Sequence, residues 1–127
     1  VSEPVFATLA EIPNVKLCEP MTYDAFVRLL KRARIVLTDS GGVQEETPTF
    51  GKPTLVLREK TERPEGIAAG VARLVGTDPQ RIIEETARVL EDPQVYEALV
   101  VYENPYGDGR AGERIAAFLA GDPAWEQ

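Results

Sequence analysis

The chain has 127 residues, with 14 basic and 21 acidic side chains and a formal charge of −7. This length fits one domain with its own hydrophobic core. The acidic balance argues against a general nucleic-acid binder, because binding to phosphate backbones depends on clustered Lys and Arg. Cys18 is the single cysteine and the chain has no histidine, so it cannot contain an internal disulfide or a Ser-His or Cys-His dyad, and we predict no metal site.

The location of the protein is predicted from the same composition. A lone cysteine is typical of a reducing compartment, so we expect a cytoplasmic protein. The apolar runs are too short to span a bilayer, and we predict no membrane partner. The chain starts at Val1 rather than at Met, which suggests a fragment or a processed piece.

The first third of the sequence alternates between helical and extended patterns. Apolar spacing predicts a helix over about 3–10, and VKLC, Val15–Cys18, predicts a short strand. Thr22 is placed to cap a second helix, whose apolar stripe is Ala25, Phe26, Leu29, Leu30 and Ala33. The run Ile35–Thr38 predicts a strand that is buried on both faces.

A serine and two glycines, Ser40-Gly41-Gly42, follow that strand and precede a predicted short helix. Pro48 limits the length of this helix and Gly51 ends it. The run Pro53–Leu57 predicts the next buried strand. A polar loop is then expected over Arg58–Gly66.

The last part of the chain carries one more strand and several strong helix starts. Val71–Val75 predicts a weaker strand. Asp78-Pro79 and Asp92-Pro93 each combine an N-cap residue with a proline at the first helical position. Glu103–Gly109 is rich in turn residues, and a final helix is expected over about 110–120.

Strands that alternate with helices predict an α/β fold, a Rossmann-like parallel sheet with helices on both faces. We expect four strands, one domain over residues 1–121 and a tail over 122–127. The dinucleotide fingerprint G-x-G-x-x-G is absent, so we predict no nicotinamide or flavin cofactor.

The glycine turn, Ser40-Gly41-Gly42, has two possible roles. Ligands of open α/β sheets sit beyond the carboxyl ends of the strands. A helix that begins there has unpaired N–H groups that bind phosphate, and glycine lets the backbone approach it closely. Alternatively, Ser40 is only an N-cap and the glycines only make a tight turn. The pattern alone leaves both interpretations open.

Two neighbouring glutamates, Glu45 and Glu46, follow the glycine turn. Successive helical residues point about 100° apart, so both cannot face one ligand. One of them can accept hydrogen bonds from a diol, and a nucleoside diphosphate has that shape, with phosphates at the helix start and ribose hydroxyls one turn further. Otherwise each glutamate only stabilises the helix dipole, by roughly 0.3–1 kcal/mol.

Three segments together resemble the non-hydrolysing UDP-N-acetylglucosamine 2-epimerases. They are LTDSGGVQEETPTFGKPTLVLREKTERPEGIAAGVARLVGTD, NPYGDGRAGERI and NVKLCEPMTYDAF. The resemblance covers nearly the whole chain but only the C-terminal half of a family member. It implies one half of a glycosyltransferase-B-like two-domain fold, and an isomerase that makes precursors of cell-envelope polysaccharides.

The resemblance also implies roles for particular residues. Ser40, Gly41 and Gly42 would bind the diphosphate and Glu46 the ribose, while Phe26 would lie against the uracil and Arg63 beside the substrate in the cleft. Without the resemblance, the sequence predicts that Phe26 is a core residue of its helix. It likewise predicts that Arg63 is a solvated charge in a loop and that N-P-Y-G-D-G is a structural turn. The implied partners are UDP-N-acetylglucosamine or UDP, an N-terminal domain and a second copy in a homodimer.

The family chemistry interconverts UDP-GlcNAc and UDP-ManNAc by elimination and re-addition of UDP. The resemblance places its acid/base groups in the other half, so we expect no catalytic residue in this chain and no activity from it alone. Two alternatives remain at this point: half of a UDP-sugar glycosyltransferase, and a free-standing nucleotide-binding domain without catalysis.

Overall fold

The structure is a computed structural model that describes residues 2–123, and the side chains of residues 4–123. Seven α-helices, one 3-10 helix and three strands are present in this part of the chain. In chain order they are α1 (Ser2–Leu9), α2 (Tyr23–Arg32), β1 (Val36–Thr38), α3 (Gly41–Glu46), the 3-10 helix (Thr47–Phe50), β2 (Thr54–Val56), α4 (Pro64–Ala68), β3 (Ala72–Leu74), α5 (Pro79–Glu91), α6 (Pro93–Ala98) and α7 (Ala111–Ala120).

The three strands form one parallel sheet in the order β1-β2-β3. Thr54 of β2 is aligned with Val36 of β1 and with Ala72 of β3. Because the strands are parallel and in register, their carboxyl ends lie along the same edge of the sheet. The glycine turn follows β1 at that edge.

Both faces of β2 are covered by packed side chains. Because successive side chains of a strand point to opposite faces, Leu55 and Val56 pack on different sides of the sheet. Leu55 belongs to a buried cluster with Val75, Val89 of α5 and Leu99. Val56 belongs to a second cluster, against which Ile67 of α4 packs. The α/β architecture with helices on both faces of a parallel sheet is therefore confirmed.

Two predictions about the strands were wrong. Val15–Cys18 is irregular, because a strand needs a hydrogen-bonded neighbour and no strand within residues 2–123 pairs with this segment. β1 was expected to be buried on both faces, but Leu37 is 39% exposed. Within residues 2–123, β1 is an edge strand that pairs only with β2, and the face that carries Leu37 is incompletely covered.

The predicted helix starts at the two Asp-Pro pairs are confirmed. The carboxylate of Asp78 accepts a hydrogen bond from the N–H of Arg81 at 2.9 Å. Asp92 ends α5 and caps α6, accepting from the N–H of Gln94 at 2.9 Å. Thr22 does occupy the N-cap position of α2, but its hydroxyl donates to Asp24 at 2.6 Å and makes no cap bond.

The structure adds one helix that the sequence analysis treated as loop. Arg58–Gly66 was predicted as a polar loop, but α4 begins at Pro64, whose fixed φ suits the first helical position. Of the predicted tail, residues 124–127 lie outside the described residues. Within residues 2–123, no helix has the length and apolar character that crossing a bilayer requires.

Candidate functional site

The glycine turn begins α3 at the carboxyl end of β1. Ser40 is the N-cap residue, but its hydroxyl makes no cap hydrogen bond. Its N–H donates instead to Thr38 Oγ1 at 3.0 Å. Ser40 therefore occupies the N-cap position, but its hydroxyl does not cap the helix.

The two glycines are helical residues and do not need the left-handed conformation. A Cβ at Gly41 would lie 2.7 Å from Glu62 Oε1, whereas a Cβ at Gly42 would find no heavy atom nearer than Ser40 Oγ at 4.0 Å. A tight turn therefore does not explain these glycines. At Gly42 the missing side chain leaves open space beside the backbone, whereas at Gly41 the Glu62 carboxylate lies close to the backbone.

The neighbouring glutamates of α3 have different surroundings, as the helix geometry predicted. Glu45 Oε1 accepts a hydrogen bond from Arg63 Nε in an ion pair. Glu46 has one buried carboxylate oxygen, Oε2, without a hydrogen-bond partner. A buried carboxylate oxygen that lacks a donor costs free energy, so a ligand with hydroxyl donors would stabilise it.

Arg63 lies beside the start of α3, although it is distant in the sequence. Its Cζ would be 3.8 Å from a Cβ at Gly41. The hydrogen bond with Glu45 raises the pKa of Arg63 above its usual value. The Glu62 carboxylate also lies beside Gly41, and its Oε2 forms an ion pair with Arg58 Nη1 at 2.5 Å. An anion bound at Gly41 would therefore compete with this carboxylate for the same space.

Four polar residues that the sequence analysis did not single out connect these segments: Gln44, Thr61, Asn104 and Tyr106. Gln44 is buried, and its Nε2 donates to the carbonyl of Ser40 at 3.3 Å. The hydroxyl of Thr61 donates to Gln44 Oε1 at 2.7 Å. The N–H of Arg63 donates to Thr61 Oγ1 at 3.1 Å.

The second half of this network returns to α3 from the C-terminal part of the chain. The hydroxyl of Tyr106 donates to the carbonyl of Arg63 at 3.2 Å, and the N–H of Tyr106 donates to Asn104 Oδ1 at 3.0 Å. Asn104 Nδ2 donates to the carbonyl of Glu45 at 3.0 Å and to Thr49 Oγ1 at 2.8 Å. We call the closed circuit through Gln44, Thr61, Arg63, Tyr106, Asn104 and Glu45 the polar ring.

A cavity of about 560 Å³ adjoins the polar ring. That volume lies in the range of small-molecule sites. Its walls are Glu45, Glu46, Thr49, Asn104, Tyr106, Gly107, Asp108, Gly109, Ala111 and Arg114. The cavity therefore contacts both Glu45 and Glu46 but neither the glycine turn nor Phe26.

Two of the residues that line the cavity, Asp108 and Arg114, form an ion pair. Arg114 Nη1 and Nη2 donate to the two oxygens of Asp108 at 2.8 and 2.7 Å. These bonds hold the pKa of the Asp108 carboxyl well below its usual value. Within residues 2–123, no group of three acidic, cysteine or histidine side chains is arranged to hold a metal ion.

Phe26 is half-buried on α2, and α2 packs against the 3-10 helix that follows α3. The structure thus brings Arg63 beside Gly41 and Glu45 of α3, the helix that also carries Glu46, and it places Phe26 on a neighbouring helix. It leaves the roles of Ser40, Gly41, Gly42, Glu46, Arg63 and Phe26 in binding as predictions.

The fold and the site define a class of protein. It is a Rossmann-like α/β domain with a polar ligand site after the carboxyl end of a parallel strand. The chain belongs to the UDP-N-acetylglucosamine 2-epimerase family, whose model matches residues 1–120. The chain spans only 32% of the length of the first curated relatives that it matches.

Curated relatives agree with this family. UDP-N-acetylglucosamine 2-epimerase of Escherichia coli (strain K12) is 54% identical over 119 residues, which are 94% of this chain and 32% of that protein. The protein of the same name from Campylobacter jejuni is 47% identical over 94% of this chain and 31% of its own length.

Solved structures agree as well. UDP-GlcNAc 2-epimerase from Neisseria meningitidis, bound to UDP-GlcNAc, is 47% identical with a TM-score of 0.89, over 94% of this chain and 32% of that chain. The Methanocaldococcus jannaschii enzyme in complex with UDP-GlcNAc and UDP is 36% identical with a TM-score of 0.78, over 93% and 31%. These matches confirm the predicted fold class, a Rossmann-like part of a glycosyltransferase-B-like fold.

Proposed function

We propose that this chain is the UDP-binding part of an enzyme that interconverts UDP-GlcNAc and UDP-ManNAc. The observation that carries the proposal is the buried, unpartnered oxygen of Glu46, on the helix that begins at the glycine turn. Family membership supports the same ligand, since the related structures from Neisseria meningitidis and Methanocaldococcus jannaschii were solved with UDP-GlcNAc.

Each site residue has a proposed role, which the resemblance to the family implies. The backbone of Ser40, Gly41 and Gly42 holds the diphosphate, where glycine leaves room for phosphate oxygens. Glu46 accepts hydrogen bonds from the ribose hydroxyls. Arg63 adds positive charge beside the diphosphate, and Phe26 lies against the uracil.

The reaction that fits these roles is elimination of UDP followed by its re-addition. In the first step the C2 proton and the UDP group leave the sugar, and a C1–C2 double bond forms. In the second step UDP adds back at C1 and a proton returns to the opposite face of C2. The residues of this chain stabilise the charge on the departing diphosphate, which lowers the barrier to its departure.

The base that removes the C2 proton is proposed to lie outside this chain, in an N-terminal domain of the same enzyme. The chain has no histidine, and the carboxylates at the site are assigned to binding. We propose a homodimer as the assembly. We also propose the cytoplasm as the location, because Cys18 is exposed and unpaired.

The test is to incubate the full-length protein that contains this chain with UDP-GlcNAc in D2O. We expect UDP-ManNAc to appear with deuterium at C2, as measured by proton NMR and mass spectrometry. If UDP-ManNAc does not form and no deuterium appears at C2, the proposal is contradicted. Transfer of the sugar to an acceptor without exchange at C2 would instead indicate a glycosyltransferase.

A further inference from the structure

The start of α4 is closed by a side chain from a distant part of the chain. Arg63 occupies the N-cap position of α4, but its side chain makes no cap hydrogen bond. The N–H of Gly66 donates instead to the hydroxyl of Tyr106, at 3.0 Å and across 40 residues. Gly66 is buried, so without this hydroxyl its N–H would lose its partner at a cost in free energy.

The same hydroxyl also bonds the backbone of Arg63, the residue that precedes α4. Tyr106 donates to the carbonyl of Arg63 at 3.2 Å while it accepts from Gly66. Burial raises the pKa of Tyr106 above its usual value. The hydroxyl therefore keeps its proton at neutral pH and remains a donor to Arg63.

Arg63 is thus held at three points. Its N–H is bonded to Thr61, its carbonyl to Tyr106 and its guanidinium to Glu45. Asn104, which is bonded to Tyr106, also holds the carbonyl of Glu45 at the end of α3. Removing the Tyr106 hydroxyl therefore loosens the backbone of Arg63 at one of these three points without removing its charge.

We propose that Tyr106 is a positioning residue for the UDP site. Its hydroxyl fixes the backbone of Arg63, so that the guanidinium stays beside Gly41 where the diphosphate leaves. The backbone N–H of Tyr106 separately holds Asn104, which bonds the carbonyl of Glu45 in the last turn of α3. This inference rests on the proposed function, because its consequence is expressed in the binding and departure of UDP.

The first test compares Tyr106→Phe with Tyr102→Phe in the full-length protein. Both changes remove one hydroxyl, and Tyr102 is 76% exposed on the same segment. We expect Tyr106→Phe to lower kcat/KM for UDP-GlcNAc about tenfold, which is the scale of one or two hydrogen bonds. The loss should fall more on kcat than on KM, and Tyr102→Phe should match wild type.

The second test asks whether Tyr106 acts through Arg63. In an Arg63→Lys background, we expect Tyr106→Phe to lower kcat/KM by less than about twofold, because coupled residues are not additive. Equal losses in both backgrounds would mean a general effect on the fold and would overturn the proposal. No loss from Tyr106→Phe in the wild-type background would also overturn it.

A third variant makes the result independent of one substitution. Thr61→Val removes the bonds to Arg63 and Gln44 on the opposite side of the ring, and we expect the same loss of kcat. If the Thr61→Val variant has the kcat of the wild type, the inference is contradicted. This result remains decisive even if the Tyr106→Phe variant does not fold. Wild-type protein without epimerisation would contradict the proposed function, whereas an active wild type with unaffected variants would contradict the positioning role alone.

Discussion

Glu45 and Glu46 are adjacent in the chain, and their carboxylates meet different surroundings at the end of α3. Glu45 is paired with Arg63, while Glu46 has a buried oxygen without a donor. The 100° step between helical residues accounts for this difference. The two residues therefore form a natural pair of test and control for the proposed ribose contact.

The first prediction concerns this pair. We expect Glu46→Ala to weaken UDP binding to the full-length protein by about 10- to 100-fold, because hydrogen bonds to a charged group contribute roughly 1.5–3 kcal/mol. Glu45→Ala should weaken it less, since its carboxylate faces Arg63. Isothermal titration calorimetry with UDP measures both, and equal losses would contradict the assignment of the ribose contact to Glu46.

The second prediction concerns Gly42. Ala is favoured over Gly in a helix by up to about 1 kcal/mol, and the nearest atom to an added Cβ is 4.0 Å away. We expect Gly42→Ala to leave the melting temperature unchanged or raised, and to weaken UDP binding at least about tenfold because the methyl group occupies the phosphate position.

A matched control for Gly42 exists in α7. Gly112 is the second residue of that helix, as Gly42 is of α3, and an added Cβ there meets nothing within 4 Å. Gly112→Ala should give the same small change in melting temperature with no change in UDP affinity. UDP binding by Gly42→Ala at wild-type affinity would argue against phosphate at the glycine turn.

The third prediction concerns helix capping. Asp78→Ala should lower the free energy of unfolding by about 1 kcal/mol, because the carboxylate bonds the N–H of Arg81. Thr22→Ala should have a much smaller effect, since Thr22 occupies an N-cap position without making the cap bond. Urea denaturation followed by circular dichroism compares them, and a larger loss from Thr22→Ala would contradict the capping geometry.

The fourth prediction concerns pH. Arg114 lowers the pKa of Asp108 in the folded protein, so the pair stabilises the fold fully above the unfolded pKa of about 3.9. This stabilisation decreases below that pH and is lost only as the pH falls through the lowered folded pKa. We expect Asp108→Asn to melt below wild type at pH 7 and the gap to narrow as the pH is lowered to 3. A gap that is constant across this range would contradict the role of the ion pair.

Elements with strong local signals could be predicted from the sequence. Asp-Pro at 78 and 92 starts two helices because capping and a fixed φ act within one turn of chain. The different partners of the Glu45 and Glu46 carboxylates agree with the helix geometry, although both residues line the same cavity. In contrast, VKLC has the composition of a strand but remains irregular, because pairing depends on a neighbour that local sequence does not specify.

The polar ring could not be predicted for the same reason. Tyr106 and Gly66 are 40 residues apart, and Asn104 reaches Glu45 across 59. N-P-Y-G-D-G was interpreted as a turn, which describes its backbone but says nothing of where Asn104 and Tyr106 bind. The contacts of Gln44 and Thr61 are likewise invisible in the pattern, since a glutamine in a helix more often faces solvent.

The position of β1 at the edge of the three-stranded sheet has a consequence for where ligands bind. The chain order β1-β2-β3 advances across the sheet in one direction. In open α/β sheets, the crevice that accepts a ligand opens where successive connections depart to opposite sides. A strand from a longer protein that paired with the outer edge of β1, and whose connection departed to the other side, would create such a topological switch point, and the glycine turn would then line its crevice.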